Sequence, residues 1–192
     1  MCTLPRQRGI SLIELIMFIV VVGVAAAGLL LVMSVTGGRS ADPVIHKQAL
    51  AIAESLLEEV ALMPFTYCDP DDANADTAMA QTGACALAAN EESTVIGPEA
   101  GETRYSATTP FDNVSDYHGF SMSGANGIRD ITNTPISSAL DGYSVTVAVQ
   151  ASALPNVAAN DALLITVTVT DPTGQQMAVE GMRTRYAPRT LP

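Results

Sequence analysis

From Ile10 to Thr36 the sequence runs ISLIELIMFIVVVGVAAAGLLLVMSVT, and Glu14 is its only charged residue. A stretch that is apolar all round cannot form one face of a water-exposed helix and has to be covered by protein or by lipid. Its uncharged part runs from Leu15 to Thr36. A bilayer core needs roughly 20 helical residues at about 1.5 Å rise each, so the segment is long enough to span one. Arg6 and Arg8 lie just before it. By the positive-inside rule they hold the N-terminus in the cytoplasm and send everything after Thr36 across the membrane. A cleaved secretory signal is the competing reading, because Ala25, Ala26 and Ala27 are small residues of the kind signal peptidases accept. Against it, the apolar run continues through Leu29, Leu30, Leu31, Val32 and Met33, and a carboxylate sits near its start. An acidic residue in a membrane helix costs about 2.5 to 3.5 kcal/mol on insertion scales, so Glu14 calls for a functional partner. The plainer alternative is a shallow glutamate that reaches the headgroups.

The residues around the start of this segment carry a family resemblance. Arg8-Gly9-Ile10-Ser11-Leu12-Ile13-Glu14 resembles the processing motif of type IV prepilins and type II secretion pseudopilins, in which a short basic leader ends in Gly and Glu is the fifth residue of the mature chain. The resemblance implies that a prepilin peptidase cuts between Gly9 and Ile10 and methylates the new amino group of Ile10. Most family members begin with Phe, so Ile10 is a departure. It also implies that the helices end in a nearly water-free bundle at a filament centre. Buried charges there have to be paired, and Glu14 is expected to neutralise the N-terminal ammonium of its own chain or of a neighbour.

Beyond the apolar segment the chain reads as a stalk and a head. Gly37-Gly38 and Asp42-Pro43 predict that the helix bends or restarts, since Gly lowers helix propensity and Asp-Pro suits an N-cap and first turn. Val44 to Leu62 reads as an amphipathic helix closed by Pro64, with an apolar stripe of Ile45, Leu50, Ile52, Ala53, Leu56, Leu57, Val60 and Ala61. Lys47, Gln48, Glu54, Glu58 and Glu59 fall largely outside that stripe. Near the C-terminus, Tyr143, Val145, Val147 and Val149 alternate with smaller or polar residues, as do Leu163, Ile165, Val167 and Val169, which predicts two strands with one apolar face each. Asp171-Pro172-Thr173-Gly174 is a turn signal, and Gln176 to Tyr186 can return as a third strand with Met177, Val179 or Met182 facing inward. The expected fold class is therefore α+β: a type IV pilin-like long N-terminal helix whose amphipathic half packs on a three- or four-stranded antiparallel sheet. The expected divisions are a leader at 1–9, a membrane and filament-core helix at 10–36, a stalk helix at 37–64 and a head at 65–192. Within the head, 65–140 is expected to be loop-rich and 141–187 to hold the sheet.

Three cysteines divide between two compartments on this topology. Cys2 stays on the leader, whereas Cys68 and Cys85 lie beyond the membrane, where an oxidising periplasm lets them close a loop. The loop is about 16 residues long, for which chain entropy gives roughly 3 kcal/mol of stabilisation. Two free thiols are the alternative. Asp69, Asp71, Asp72 and Asp76 supply oxygen ligands of the kind calcium takes. The spacing is not that of an EF-hand, because counting from Asp72 places Thr77 at the required Gly and Gly83 at the closing Glu. A solvated acidic turn without metal is the expectation there. Asp112, Asn113 and Asp116 form a second, weaker candidate, with turn capping as the alternative. His46 and His118 have no nucleophile and orienting carboxylate in reach of sequence reasoning, and no phosphate-binding loop or zinc spacing occurs. The chain is expected to be no enzyme and to need no cofactor.

Net charge narrows the partners. The formal charge is -11, from 9 Lys+Arg against 20 Asp+Glu, and it becomes more negative if Arg6 and Arg8 are lost with the leader. Such a surface repels phosphate backbones, so nucleic acid is excluded as a charge-driven partner. The expected partners are the prepilin peptidase and methyltransferase, other pilins with their assembly platform, and the inner membrane. The acidic, loop-rich head and the Gly-Ile-Ser-Leu-Ile-Glu start look most like the D-type minor pilin of the mannose-sensitive haemagglutinin (MSHA) class of pili. On that reading the protein is a single-pass inner-membrane precursor that moves to the pilus. A minor pseudopilin of a type II secretion system uses the same processing and helix-bundle physics and stays open. A membrane-anchored periplasmic binding module or hydrolase is the reading from another class, and it requires residues 1–9 to persist.

Overall fold

A computed structural model of the chain describes residues 9, 11–38, 42–78, 83–92, 96–123 and 127–185. Two compact units are present, Met1–Ile45 and His46–Pro192. The first holds α1 (Leu12–Gly38). Its Leu12–Ser34 stretch has a mean hydropathy of 3.0 over 23 residues, none of it buried within the protein. At about 1.5 Å per residue this stretch extends roughly 34 Å, enough for a hydrocarbon core of about 30 Å. A second helix, α2 (Asp42–Leu62), begins where Asp42-Pro43 predicts a start. The linking residues 39–41 lie outside the described residues.

In the second unit α2 buries Ala49, Ile52, Ala53, Leu56 and Val60. These positions recur at three and four residues, so they share one helix face. Two sequence expectations are corrected on this helix. Leu50, assigned to the stripe, is 38% exposed. It stands one residue, about 100° of rotation, from Ala49, which takes the core position instead. Glu59, assigned to the solvent face, is drawn inward by Arg104 and Tyr117.

The sheet is antiparallel with strands in chain order: β1 (Ser121–Met122), β2 (Ser144–Ala151), β3 (Ala162–Thr170) and β4 (Gln176–Thr184). The period-2 pattern does what it predicts. Val145, Val147 and Val149 of β2 and Leu163, Ile165, Val167 and Val169 of β3 are buried, whereas their alternates, apart from Ala162 at the start of β3, are half-buried or exposed. Pairing aligns these faces, with Val147 opposite Val167 and Val167 opposite Val179. Each such pair adds same-face packing, which is the unit of sheet stabilisation.

The turn between β3 and β4 is wired by Asp171, whose Oδ1 accepts from the Thr173 and Gln175 amides at 2.8 and 3.0 Å. Gly174 follows with a positive φ, a left-handed backbone that glycine adopts without strain. On β4 the inward set is Met177, Val179, Gly181 and Arg183. Met182, offered as an inward residue, is of the opposite parity and lies 47% exposed. Gly181 has a packing reason: a Cβ there would stand 2.9 Å from Cδ1 of Leu57, so α2 lies close against this strand. Tyr143 adds a polar tie, its hydroxyl donating to Gln48 Oε1 at 2.8 Å.

The described residues of 65–140 are mainly turns, with short 3-10 segments at Ala88–Asn90, Ser115–Tyr117 and Ser138–Leu140. They also supply β1, so the fourth strand comes from the stretch expected to be loop. Its two residues pair Ser121 with Thr146 and Met122 with Val145, too short a run for periodicity to reveal. Phe111, Tyr117 and Phe120 meet edge to face here. The Phe111 centroid lies 5.1 Å from that of Tyr117 and 6.0 Å from that of Phe120.

Candidate functional site

The N-terminal motif is only partly within view. Gly9 and Ser11 are described and exposed, whereas Ile10, Arg6, Arg8 and Cys2 lie outside the described residues, and the Gly9–Ile10 bond with them. The Leu15 amide donates to the Ser11 carbonyl at 3.1 Å, which starts α1. Glu14 sits in the first turn, where the unsatisfied amides of a helix N-terminus favour negative charge. Around and beyond it the large apolar side chains from Leu12 to Met33 are 47% to 77% exposed. Lipid or other helices have to cover so much apolar surface. What the arrangement offers chemically is an apolar rod with one carboxylate, at its N-terminal end.

The head contains a second constellation. Cys68 and Cys85 are joined by a disulfide. Beside it a short antiparallel bridge pairs Cys68 with Glu91, with the Asp69 amide donating to the Asn90 carbonyl at 2.9 Å and the Glu92 amide to the Tyr67 carbonyl at 3.1 Å. That bridge sets Asp69 and Glu92 side by side. The Ser115–Tyr117 turn brings in Asp116, anchored because the Val114 amide donates to the Pro64 carbonyl at 3.1 Å. A turn at Glu99 to Glu102, closed by the Glu102 amide on the Glu99 carbonyl, completes the group. Carboxylate oxygens of Asp69, Glu92 and Glu99 lie within 4.8 Å of one another, as do those of Glu99, Glu102 and Asp116.

Asp69, Glu92 and Asp116 are buried, and burial disfavours their charged forms. For Glu92, burial first and then the nearby Asp116 and Glu99 charges push the pKa to about 10. Glu99 rises to about 8, Asp112 to about 7 and Asp116 to about 6, in each case chiefly through burial. Asp69 is raised too, again by burial first. Arg185 interacts electrostatically with Glu92, but its guanidinium lies over the Phe65 and Tyr67 rings at 3.9 and 4.2 Å and is ion-paired to Asp161 at 3.3 Å. Among the described residues no Lys or Arg is ion-paired to any member of the acidic group.

This placement divides the aspartates that the sequence grouped together. Only Asp69 turns into the cluster. Asp71 and Asp76 are exposed, and Asp72 wires the loop: its Oδ1 accepts from the Asn74 and Ala86 amides at 2.8 and 2.9 Å, and its Oδ2 from the Leu87 amide and Asn90 side chain at 3.2 Å. Asp116 accepts from the Asp112 and Asn113 amides at 2.9 and 2.7 Å, the capping role weighed for it. Asn113 is a spacer, its Nδ2 donating to Thr66 Oγ1 at 2.9 Å. Glu92, Glu99 and Glu102 were invisible to sequence reasoning, which had no signal linking them to residue 69. His118 is exposed, and its Nδ1 accepts from the Val149 amide at 3.2 Å. His46 is exposed on α2.

Residues 4–30 match the family model for the prokaryotic N-terminal methylation motif. No curated protein and no solved structure matches the chain. The match covers the N-terminal segment alone, and with the apolar helix and antiparallel sheet it supports a type IV pilin-like protein.

Proposed function

We propose that the chain is a minor pilin, a structural subunit cut and methylated at its N-terminus and incorporated into a type IV pilus through α1. One observation carries this reading: a fully exposed apolar helix whose only charge, Glu14, sits in its first turn, inside the matched methylation motif. Processing between Gly9 and Ile10 creates an ammonium one helical turn from the Glu14 carboxylate. Out of water that pair is complementary, and a subunit in the wrong register leaves one charge unpaired, at several kcal/mol. The membrane then stores the precursor with its head on the periplasmic side, and exchange of lipid for neighbouring helices drives assembly. The resemblance of the motif and the acidic head to the MSHA D-type minor pilin puts the subunit in that class on this reading.

The test is intact-mass and N-terminal analysis of the membrane-extracted chain, with and without the prepilin peptidase. A methylated Ile10 terminus is expected with the enzyme, and Met1 without it. Retention of Met1 in both, or a start near Gly28, removes the pilin reading. Glu14→Ala is expected to insert normally and to be depleted from sheared filaments by tenfold or more; undiminished incorporation removes the role given to Glu14. Cysteine cross-linking from the head then separates pilus from secretion machinery by whether pilus subunits or pseudopilins are captured.

A further inference from the structure

The acidic group in the head shows one pattern three times. Asp69 Oδ1 accepts from the Asp71 amide at 2.6 Å, a Glu92 carboxylate oxygen accepts from the Ser115 hydroxyl, and Asp116 Oδ2 accepts from two amides. In each the other oxygen, Asp69 Oδ2, Glu92 Oε1 or Asp116 Oδ1, is buried and meets no hydrogen-bond donor. All three residues are at least nine-tenths buried, with exposures of 1%, 0% and 0%. Glu99 Oε2 and Asp112 Oδ1 are buried without a donor as well. Tethering one oxygen fixes the carboxylate and leaves the second without a partner among its neighbours.

From this geometry we infer that Asp69, Glu92, Glu99, Glu102 and Asp116 form a calcium site, with Glu99 shared between its two triads. A buried carboxylate oxygen without a partner is costly. A proton relieves one carboxyl at a time, and Glu99 could bridge to Asp69 only by carrying one; a divalent cation satisfies all the converging oxygens together. Oxygen-only ligands with no imidazole or thiolate argue against zinc, copper or nickel. The oxygens of each triad lie within 4.8 Å of one another. That spacing fits around an ion that holds its ligands at about 2.3 to 2.6 Å. The ligands come from separate stretches of chain, the two sides of the Cys68–Glu91 bridge, the Glu99–Glu102 turn and the Ser115–Tyr117 turn, an irregular set that suits the flexible, high-coordination shell of calcium over the strict octahedron of magnesium. Asp112, beside the site, adds negative charge. The linear run Asp71 to Asp76 is not the site, since its carboxylates are exposed or wire the loop.

The full-length exported protein in detergent, stripped with chelator and dialysed, provides the test by equilibrium dialysis with calcium and by thermal unfolding with and without it. Saturable binding with a dissociation constant of about 10⁻⁵ to 10⁻³ M and an unfolding midpoint several degrees higher in calcium are expected. Glu99→Gln and Glu92→Gln should each weaken binding at least tenfold, while remaining as stable as wild type in chelator because each exchanges a buried carboxyl for a neutral amide of the same shape. Asp71→Asn and Asp76→Asn should bind within about twofold of wild type. Absence of saturable binding in the wild type at about 10 mM calcium, above the weakest range such sites show, overturns the site. Loss of binding in the Asp71 and Asp76 variants with retention in Glu99→Gln overturns it equally. The readouts involve neither processing nor filaments, so they stand or fall apart from the pilin reading.

Discussion

At the scale of single residues, Glu59 and Arg104 tie α2 to the loops of the head. The guanidinium donates from Nε to Oε1 at 2.6 Å and from Nη2 to Oε2 at 2.7 Å. Such a two-point pairing fixes orientation as well as distance. Its Nη1 donates to the Arg129 and Asp130 carbonyls at 3.2 Å, and Tyr117 donates to Glu59 Oε1 at 2.8 Å. Burial works against the charge on Glu59, but the hydrogen bonds from Arg104 and Tyr117 outweigh it and hold the carboxyl below its ordinary value. Glu59→Gln keeps the shape and removes the charge, leaving a buried guanidinium without its counterion. Removing one partner of a buried pair costs about 3 kcal/mol or more. The Glu59 side chain keeps 22% exposure. Solvent screening therefore lowers the expected loss to roughly 2 to 3 kcal/mol at neutral pH. A depressed carboxyl binds fewer protons folded than unfolded, so its contribution is present above its unfolded value near 4.5 and fades as pH falls through the folded one. The stability gap between wild type and Glu59→Gln, measured by urea unfolding, should therefore shrink below about pH 4.5; a gap that widens in acid would contradict the pairing.

At the scale of elements, α2 and the sheet are held by shape, and Gly181 is where the tolerance is least. It pairs with Ile165 on β3 and faces Leu57, whose Cδ1, Cδ2 and Cγ lie 2.9, 3.3 and 3.4 Å from the position a Cβ would take. Leu57 is half-buried and can yield partway, so Gly181→Ala is expected to cost under about 1 kcal/mol, whereas Gly181→Val forces the helix off the sheet at about 1 to 3 kcal/mol. Chemical denaturation of the two variants checks the order, and equal midpoints would show that α2 does not pack there. These elements were legible in advance because periodicity reports local burial. The alternation in β2 and β3 and the Asp171–Gly174 turn could be read from the sequence, since each depends only on neighbours along the chain. Glu59 could not: helical spacing placed it on the wet face, and the residue that reverses this, Arg104, lies 45 positions away. The acidic cluster escaped for the same reason, being gathered from residues 69 to 116 by a disulfide, a one-pair bridge and a 3-10 turn. The local run of aspartates suggested a different ligand set, of which only Asp69 joins the cluster.

For the whole molecule, two units solve two solvent problems. Among its described residues the first unit has no core, and α1 remains helical where lipid or detergent covers it, because every backbone bond of a helix is internal. The second buries its own core around α2 and the sheet, and its loop-rich part is constrained by covalent chemistry as much as by packing. Cys68 and Cys85 are 17 positions apart. Closing a loop of that size restricts the unfolded chain by roughly 3 kcal/mol in the entropic account. A paired Cys68→Ser and Cys85→Ser variant is expected to lower head stability by about that amount, a large share of the roughly 5 to 15 kcal/mol typical of a domain. The loss should appear in the denaturant midpoint followed by tyrosine near-ultraviolet dichroism, since all five tyrosines, including the buried Tyr117 and Tyr143, lie in the second unit. Helical content of α1 in detergent should be unchanged, because that unit contains neither half of the bridge. If the variant keeps the wild-type midpoint, the loop is held by its hydrogen bonds alone. Because α2 lies mainly in the second unit, it loses its helicity with the tyrosine signal, so it is loss of the remaining α1 helicity in the same transition that would show that the two units do not unfold separately.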